Sequence, residues 1–398
     1  MRVDQFTGAA PGDLVPIAGD SVAYGRWEHV AFVPRPLPTQ TPSGLTVPTF
    51  NAVAEARAAL AGLDSSARQL PNPSLLRRPT LRREAQSTSA LEGTYAPLQA
   101  VLAADEDDDP ASDAMREVLN YVRMAELAFG WHADGRPLSR SLLAQLHAVL
   151  VRDTAAENDQ AGRVRGIQVM IGGHPGGRVQ DARFVPRPPD PDLEAQVDEW
   201  LAWMSEAARP EVAIDPVVAA GMSHYHFETL HPFNDGNGRV GRLLIVLQLL
   251  FGGLLSEPTL TVSPWFESRR ADYYDALMGV STTGDWDRWL RFFATGLAAS
   301  ARDTEVRLLE LLAVQARSKE RIRQARLRAD NAMRLVDFAL DRPIFTVRQV
   351  ERALEVTYPR ANSLVRQLVD LGILRQFDEG SYSREFAAPD VVAVLLRP

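Results

Sequence analysis

The chain of 398 residues contains no cysteine, so neither a disulfide framework nor a thiolate metal centre can form. Lys319 is its only lysine, and all other basic side chains are arginine or histidine. No apolar run approaches the roughly 18 residues that a membrane helix needs. The opening MRVDQFTGAAPGD lacks the basic start and apolar stretch of a secretory signal, so a cytoplasmic protein is expected. A formal net charge of -8 gives no broad attraction for nucleic acid. The length suffices for a substantial core and suggests two or three domains.

Against these absences stands one dense stretch, residues 231–242, HPFNDGNGRVGR, followed by the apolar segment Leu243–Phe251. Its periodicity predicts a helix starting near Gly238, with Val240, Leu243, Leu244 and Leu247 facing a core. The glycine-flanked turn would then sit at a helix N-terminus, where backbone N–H groups and the helix dipole favour an anion. Arg239 and Arg242 are three apart, so both can project from the first turn towards that anion. His231 lies just upstream and titrates near neutrality, which suits a base. Asp235 offers a hard oxygen ligand for magnesium. Together they describe a polyphosphate site with a base beside it.

Residues 1 to about 50 are rich in Pro, Gly and Thr and read as an arm laid over the body. Helical patterns follow from Phe50, from Leu81 to Gly93 after Pro79, from Met115 to Trp131 and from Ser139 to Val151. The acidic run Asp105–Asp109 reads as a solvated loop. Residues 162–185 carry β-branched residues in alternation around a glycine- and proline-bearing turn, the pattern of a β-hairpin. Helices are expected at Pro191–Ala207, Asp215–Leu230 and Trp265–Met278, then a long one over Ala301–Ala339. His224 and His226 lack the spacing and partners of a zinc site and read as core residues. From Asp341 the pattern runs helix (Thr346–Leu354), turn, helix (Tyr358–Leu371), then strands Ile373–Phe377 and Tyr382–Phe386 around Asp378-Glu379-Gly380. Leu354, Ala361, Leu364, Val365 and Leu368 are its expected core. This looks like a winged helix-turn-helix. With eight arginines and eight acids from Asp341 to Pro398, it has no net charge to draw phosphates, so protein docking or dimerisation is favoured over DNA.

The stretch at 231–242 resembles the signature of the Fic (Fic/Doc) family and fits it without a departure. The fold that this implies is mainly α: a Fic-type helical core with a β-hairpin flap, plus the C-terminal winged helix. The corresponding domains are 1–80, an N-terminal arm and helices; 81–300, the Fic domain; 301–340, a linking helix; and 341–398. The resemblance implies transfer of AMP from ATP to a hydroxyl of a protein side chain, with release of pyrophosphate. His231 would be the base and Asp235 the magnesium ligand. Backbone amides around Gly236 and Gly238 would cradle phosphates, Asn237 would orient the α-phosphate, and Arg239 and Arg242 would neutralise the outer ones. Phe233 would anchor the loop. Tyr274, beside a core-packed Tyr273, would reach adenine. The hairpin within 162–185, which follows an arginine placed as Arg165 is, would be the flap that holds a protein target through Ile171, Gly172, Gly173, Phe184 and Val185. Thr88 to Gly93, TSALEG, resembles the family's inhibitory motif, with Glu92 competing for Arg242 and Thr88 steadying the helix at 81–93. A homodimer would be unsurprising.

Three alternatives remain open on sequence. The same site could remove AMP from a modified protein. Phosphate transfer in the manner of the Doc toxins is disfavoured because Gly236 and Gly238 are intact. A regulator binding DNA through its C-terminal domain is the third.

Overall fold

A computed structural model describes residues 1–21, 23, 25–69, 74–105, 109–173, 177–209, 214–326, 329–377 and 384–397. The fold is mainly helical. In chain order, the strands β1 (Gly12–Ser21) and β2 (Gly25–Pro34) precede α1 (Val47–Arg68), α2 (Ser74–Leu91), α3 (Leu98–Ala103), α4 (Asp113–Ala133) and α5 (Arg140–Val151). Next come α6 (Pro191–Ala207), α7 (Pro216–Leu230), α8 (Asn237–Phe251), α9 (Ser263–Glu267), α10 (Arg270–Thr283) and α11 (Trp286–Gln324). The C-terminal elements are α12 (Ala329–Asp341), β3 (Ile344–Thr346), α13 (Val347–Leu354), α14 (Tyr358–Asp370), β4 (Arg375–Gln376), β5 (Glu385–Ala387) and α15 (Pro389–Leu396).

The chain forms two compact units, each discontinuous in sequence. The first comprises Met1–Ala61, Arg123–Ser256 and Trp265–Ala299; the second comprises Gly62–Val122, Glu257–Pro264 and Ser300–Pro398.

In the first unit, α7 and α8 are buried on nearly all sides, as helices apolar all round must be. Val240, Leu243, Leu244 and Leu247 face this core as expected. Helix starts are fixed by side chains that accept from the first turn. Ser139 takes Leu142 N–H (3.2 Å), Asp190 takes Leu193 N–H (3.1 Å) and Asp215 takes Val217 N–H (2.8 Å). A proline in the first turn, where its missing donor costs nothing, follows in α6 and α7. The expected N-terminal arm is instead a regular antiparallel hairpin, with Gly12 opposite Pro34 and Ser21 opposite Gly25. Both strands carry β-branched residues and β2 adds Trp27 and Phe32, among the same glycines and proline that suggest an arm. The single helix expected over Trp265–Met278 is two, α9 and α10, broken at Ser268–Arg269.

In the second unit, α12 to α15 pack with α2 and α3 around Leu76, Leu102, Leu308, Leu335 and Leu364. Strand order is β3-β5-β4, antiparallel throughout. Thr346 caps α13 in a reciprocal box with Gln349. Leu354, Ala361, Leu364, Val365 and Leu368 are all buried. The turn Asp378-Glu379-Gly380 and the start of the strand expected at Tyr382 lie outside the described residues. The helix expected over Ala301–Ala339 ends at Gln324, where Arg326 turns into the left-handed region (φ 52°), and α12 starts afresh at Ala329. Pro79 lies inside α2 rather than before it. Its neighbour Thr80 donates its hydroxyl back to the carbonyls of Leu76 and Arg77 (2.8 and 2.9 Å), one turn earlier in the helix. Asp105 is buried, not solvated. It accepts from Gln349 (2.6 Å), Arg342 (3.3 Å) and Arg352 (3.4 Å), and these donors stand in for lost water. Residues 106–108 of that acidic run lie outside the described residues.

Candidate active site

The chain between α7 and α8 makes a tight turn, and its geometry follows from three side chains. Asn237 is 1% exposed and closes the turn on itself: its Oδ1 accepts from Phe233 N–H (2.9 Å) and its Nδ2 donates to Phe233 O (2.8 Å). Each end of an amide has one further bonding position, so this brace does not by itself exclude phosphate contact. Gly236, the residue before α8, has φ 74°. A Cβ there would stand 2.8 Å from Leu150 Cδ2, so both conformation and space require glycine. Val240 N–H is bonded to Gly236 O (3.0 Å), so the amides of Gly238 and Arg239 belong to the helix's first, outward-facing set. The helix starts one residue earlier than the periodicity suggested.

His231 ends α7 in the left-handed region, at φ 50° and ψ 58°. Its Nδ1 lies 3.2 Å from Glu228 O. A carbonyl only accepts, so the proton of the neutral ring sits on Nδ1 and the basic lone pair on Nε2. Arg165 holds this corner. It is 2% exposed, and its guanidinium donates to His231 O (2.8 Å), Arg187 O (2.7 Å) and Ile167 O (3.0 Å). Its own N–H donates to Pro232 O (2.9 Å). Burial pushes its pKa down to about 10, so it remains charged at neutral pH. Sequence reasoning noted Arg165 only as a landmark before the flap; its grip on the histidine corner depends on carbonyls remote in sequence.

Asp235 sits at the rim with its side chain 59% exposed, and Oδ1 accepts from Gly236 N–H (2.5 Å) and Arg239 (3.5 Å). It is not the helix cap; Gly236 holds that place. Arg239 and Arg242 are buried, 3% and 1% exposed, on the first turns of α8. Beneath them α7 and α8 touch closely: at Gly241 a Cβ would meet Glu228 Oε1 at 2.4 Å and Phe227 Cδ1 at 3.0 Å. A third helix borders the turn. From α5, His147 stacks on Phe233 with rings 4.1 Å apart and 2° from parallel, and its Nε2 is 3.2 Å from Asp235 O. Burial pushes the pKa of His147 down to about 4.

His224 and His226 belong to the core. His224 contacts Tyr273 OH (2.7 Å) and Gly241 O (3.2 Å), and burial pushes the two histidines down to about 3 and 4. Tyr273 is fully buried among Phe266, Trp289 and Phe292. Tyr274, half-buried, lines a cavity of about 60 Å³ with Ile171, Phe184, Thr229, Leu277 and Met278.

The expected flap hairpin is a loop joined by one bridge, Ile171 to Phe184, with Ile171 N–H donating to Phe184 O (2.9 Å). A 3-10 turn at Val179–Asp181 interrupts the returning arm, and residues 174–176 of the tip lie outside the described residues. The returning arm is no open edge. Val185 is fully buried and its carbonyl accepts from Phe32 N–H (2.9 Å), while Phe32 pairs with Pro186; Phe184 is 7% exposed in the same small core. On the outgoing arm Gly172 and Gly173 are exposed, whereas Ile171 is half-buried with its N–H and carbonyl both bonded to Phe184.

The fold is helical, and its central turn combines a histidine, buried arginines and helix-start amides, groups suited to phosphate. Residues 50–130 match the Fic/DOC family N-terminal profile, and residues 137–249 match the Fic/DOC family profile. The chain thus carries Fic/DOC family domains, the second of which contains the whole turn. A protein adenylyltransferase of Caenorhabditis elegans is 30% identical over 189 residues, 45% of this chain and 33% of that protein. One from Nematostella vectensis is 35% identical over 135 residues, 34% of this chain and 27% of that protein. The match therefore spans a third or less of these relatives. A Fic family protein from Desulfovibrio desulfuricans has a crystal structure that superposes with a TM-score of 0.55 at 22% identity, covering 88% of this chain and 98% of that one. It shares the fold.

Proposed function

We propose that the chain transfers AMP from ATP to a Ser, Thr or Tyr hydroxyl of a protein, releasing pyrophosphate. The observation that carries this is the His231 corner. A ring whose Nδ1 proton is committed to Glu228 O presents Nε2 as base beside a helix start that can hold a polyphosphate. In the step, Nε2 takes the hydroxyl proton as its oxygen bonds to the α-phosphorus. The bond from that phosphorus to the bridging oxygen breaks, and pyrophosphate leaves with the electron pair. Phosphoryl chemistry of this kind needs positioning and charge neutralisation more than covalent help. The amide of Gly238 and the guanidinium groups of Arg239 and Arg242 meet that need, while the Gly236 amide is donated to Asp235 Oδ1. Names of relatives, protein adenylyltransferases, support ATP as the nucleotide.

Magnesium fits the residues present. Asp235 offers one exposed hard carboxylate, and no group of three His, Asp or Glu among the described residues could hold a metal by itself, so nucleotide oxygens complete the set. Bound there, the ion supplies neutralisation of phosphate charge. Asp235 would hold it and Arg239 would keep that carboxylate in place.

Glu92 restrains the reaction, as the resemblance of TSALEG to the family's inhibitory motif implies. Support lies in the TSALEG motif; Glu92 itself stands exposed one residue beyond the end of α2, before Gly93 turns the chain at φ 94°. Thr88, fully buried in α2, steadies that helix. The segment 341–398 acts as a winged helix that docks protein or a second copy of the chain; its even balance of arginines and acids supports this over DNA.

Incubation with α-labelled and γ-labelled ATP tests the reading. Label from the α-position on protein is expected; label from the γ-position alone would replace AMP transfer by phosphate transfer.

A further inference from the structure

His147 has two features that packing alone does not explain. Packing would be served by any large apolar residue among Leu143, Leu146 and Leu150 of α5. Yet both ring nitrogens are engaged, and with backbone of two separate loops. Gly162 N–H donates to Nδ1 at 2.9 Å. A backbone N–H only donates, so Nδ1 carries the lone pair and the neutral ring's proton is on Nε2. Nε2–H therefore donates to Asp235 O at 3.2 Å. The ring face is used as well, stacked on Phe233. One turn further along α5, Leu150 lies against Gly236 closely enough to exclude a Cβ. So α5 presses on Phe233, Asp235 and Gly236, while Asn237 ties the same turn from within through Phe233.

We infer that His147 is a positioning residue for the phosphate turn: through the Asp235 carbonyl it sets the direction of the Asp235 carboxylate and of the amides that follow. This rests on the reading of Asp235 as a magnesium ligand. The exposed Asp235 side chain depends for direction on its backbone, and that backbone is held on the α5 side by one hydrogen bond and one ring stack. Groups that orient a metal ligand from behind typically govern about 10-fold to 100-fold in metal affinity or activity.

The test is the gain in ATP affinity on adding magnesium, measured by calorimetry as the ratio of Kd with chelator to Kd with magnesium. Activity is read separately. His147→Phe keeps the stack and loses both hydrogen bonds, so the ratio should fall by about tenfold. His147→Gln keeps an N–H near the place of Nε2, and its ratio should stay within about threefold of wild type. A residue that merely fills space would lower the melting temperature and leave the ratio alone. Should His147→Phe not fold, His147→Leu serves, compared with His147→Gln at matched melting temperature. An unchanged ratio in the apolar variant, beside a wild type that gains from magnesium, would overturn the role of His147 alone. A wild type whose ATP affinity ignores magnesium would overturn the reading of Asp235, and this proposal with it.

Discussion

Replacing Asn237 by alanine removes both hydrogen bonds that close the phosphate turn. Its side chain is 1% exposed and the partners, Phe233 N–H and O, lie in a residue itself only 3% exposed. Little water reaches them once the amide is gone. An unsatisfied buried donor or acceptor costs about 1–3 kcal/mol, so losing partners for both costs about 2–4 kcal/mol after local relaxation. Against a total stability of roughly 5–15 kcal/mol that is a large share. For a folding unit of this size, 1 kcal/mol moves the midpoint by about 2–4 °C, so a fall of roughly 4–16 °C is expected. Asn237→Asp separates the two bonds. Its carboxylate still accepts from Phe233 N–H but sets an anionic oxygen against Phe233 O, so it should be at least as damaging despite its equal volume. Urea and thermal unfolding of both variants, with ATP binding by calorimetry, make the assay. Asn237→Ala within about 0.5 kcal/mol of wild type would refute the brace, since that is the scatter of neutral surface changes.

Three further outcomes follow from the same geometry. Gly236→Ala forces a Cβ into the left-handed region, costing about 1–2 kcal/mol, and against Leu150; ATP affinity should fall by tenfold or more, and unchanged affinity would remove this turn from the phosphate cradle. Glu92→Gly should raise AMP transfer, including self-modification, by about tenfold or more, since a displacement near 1 Å can cost on the order of 100-fold; an unchanged rate at saturating ATP and magnesium would end the autoinhibition reading. Stability should fall on acidification. The folded pKa values of His147, His224 and His226, about 4, 3 and 4, lie below the unfolded 6.5, so the unfolded chain binds protons first. The contribution is fully present above pH 6.5 and declines below it, by up to about 1.4 kcal/mol per pH unit for each ring until its folded pKa is reached. Urea midpoints at pH 7 and pH 5 check this; equal midpoints would contradict the burial of these rings.

The turn before α8 was legible because its signals are local. Within twelve residues the sequence holds histidine, acid, glycines and arginines, and a helix start is written in the change from glycine to an apolar period. Helices with side-chain caps, α5 to α7, were legible to within a residue for the same reason. What escaped was set by distant partners. Arg165 and His147 look like a loop cation and a stray polar residue on an apolar helix; their roles exist only because carbonyls and amides from other loops arrive beside them. Asp105 looked solvated because its three donors lie over two hundred residues away. The β1–β2 hairpin hid behind Pro16 and several glycines, which lower strand propensity without preventing a ten-residue register. Val185 alternates like an exposed flap residue, yet β2 covers it.

The central claim is that His231 removes the target's proton while other residues hold the nucleotide. Intact-mass analysis of the Glu92→Gly protein after incubation with ATP and magnesium, with and without His231→Ala, tests it most directly. The account predicts an added AMP mass on the Glu92→Gly chain, its loss when His231 is alanine, and ATP binding within a few-fold in both. Persistence of the AMP adduct without His231, or an adduct with the mass of phosphate, would contradict it.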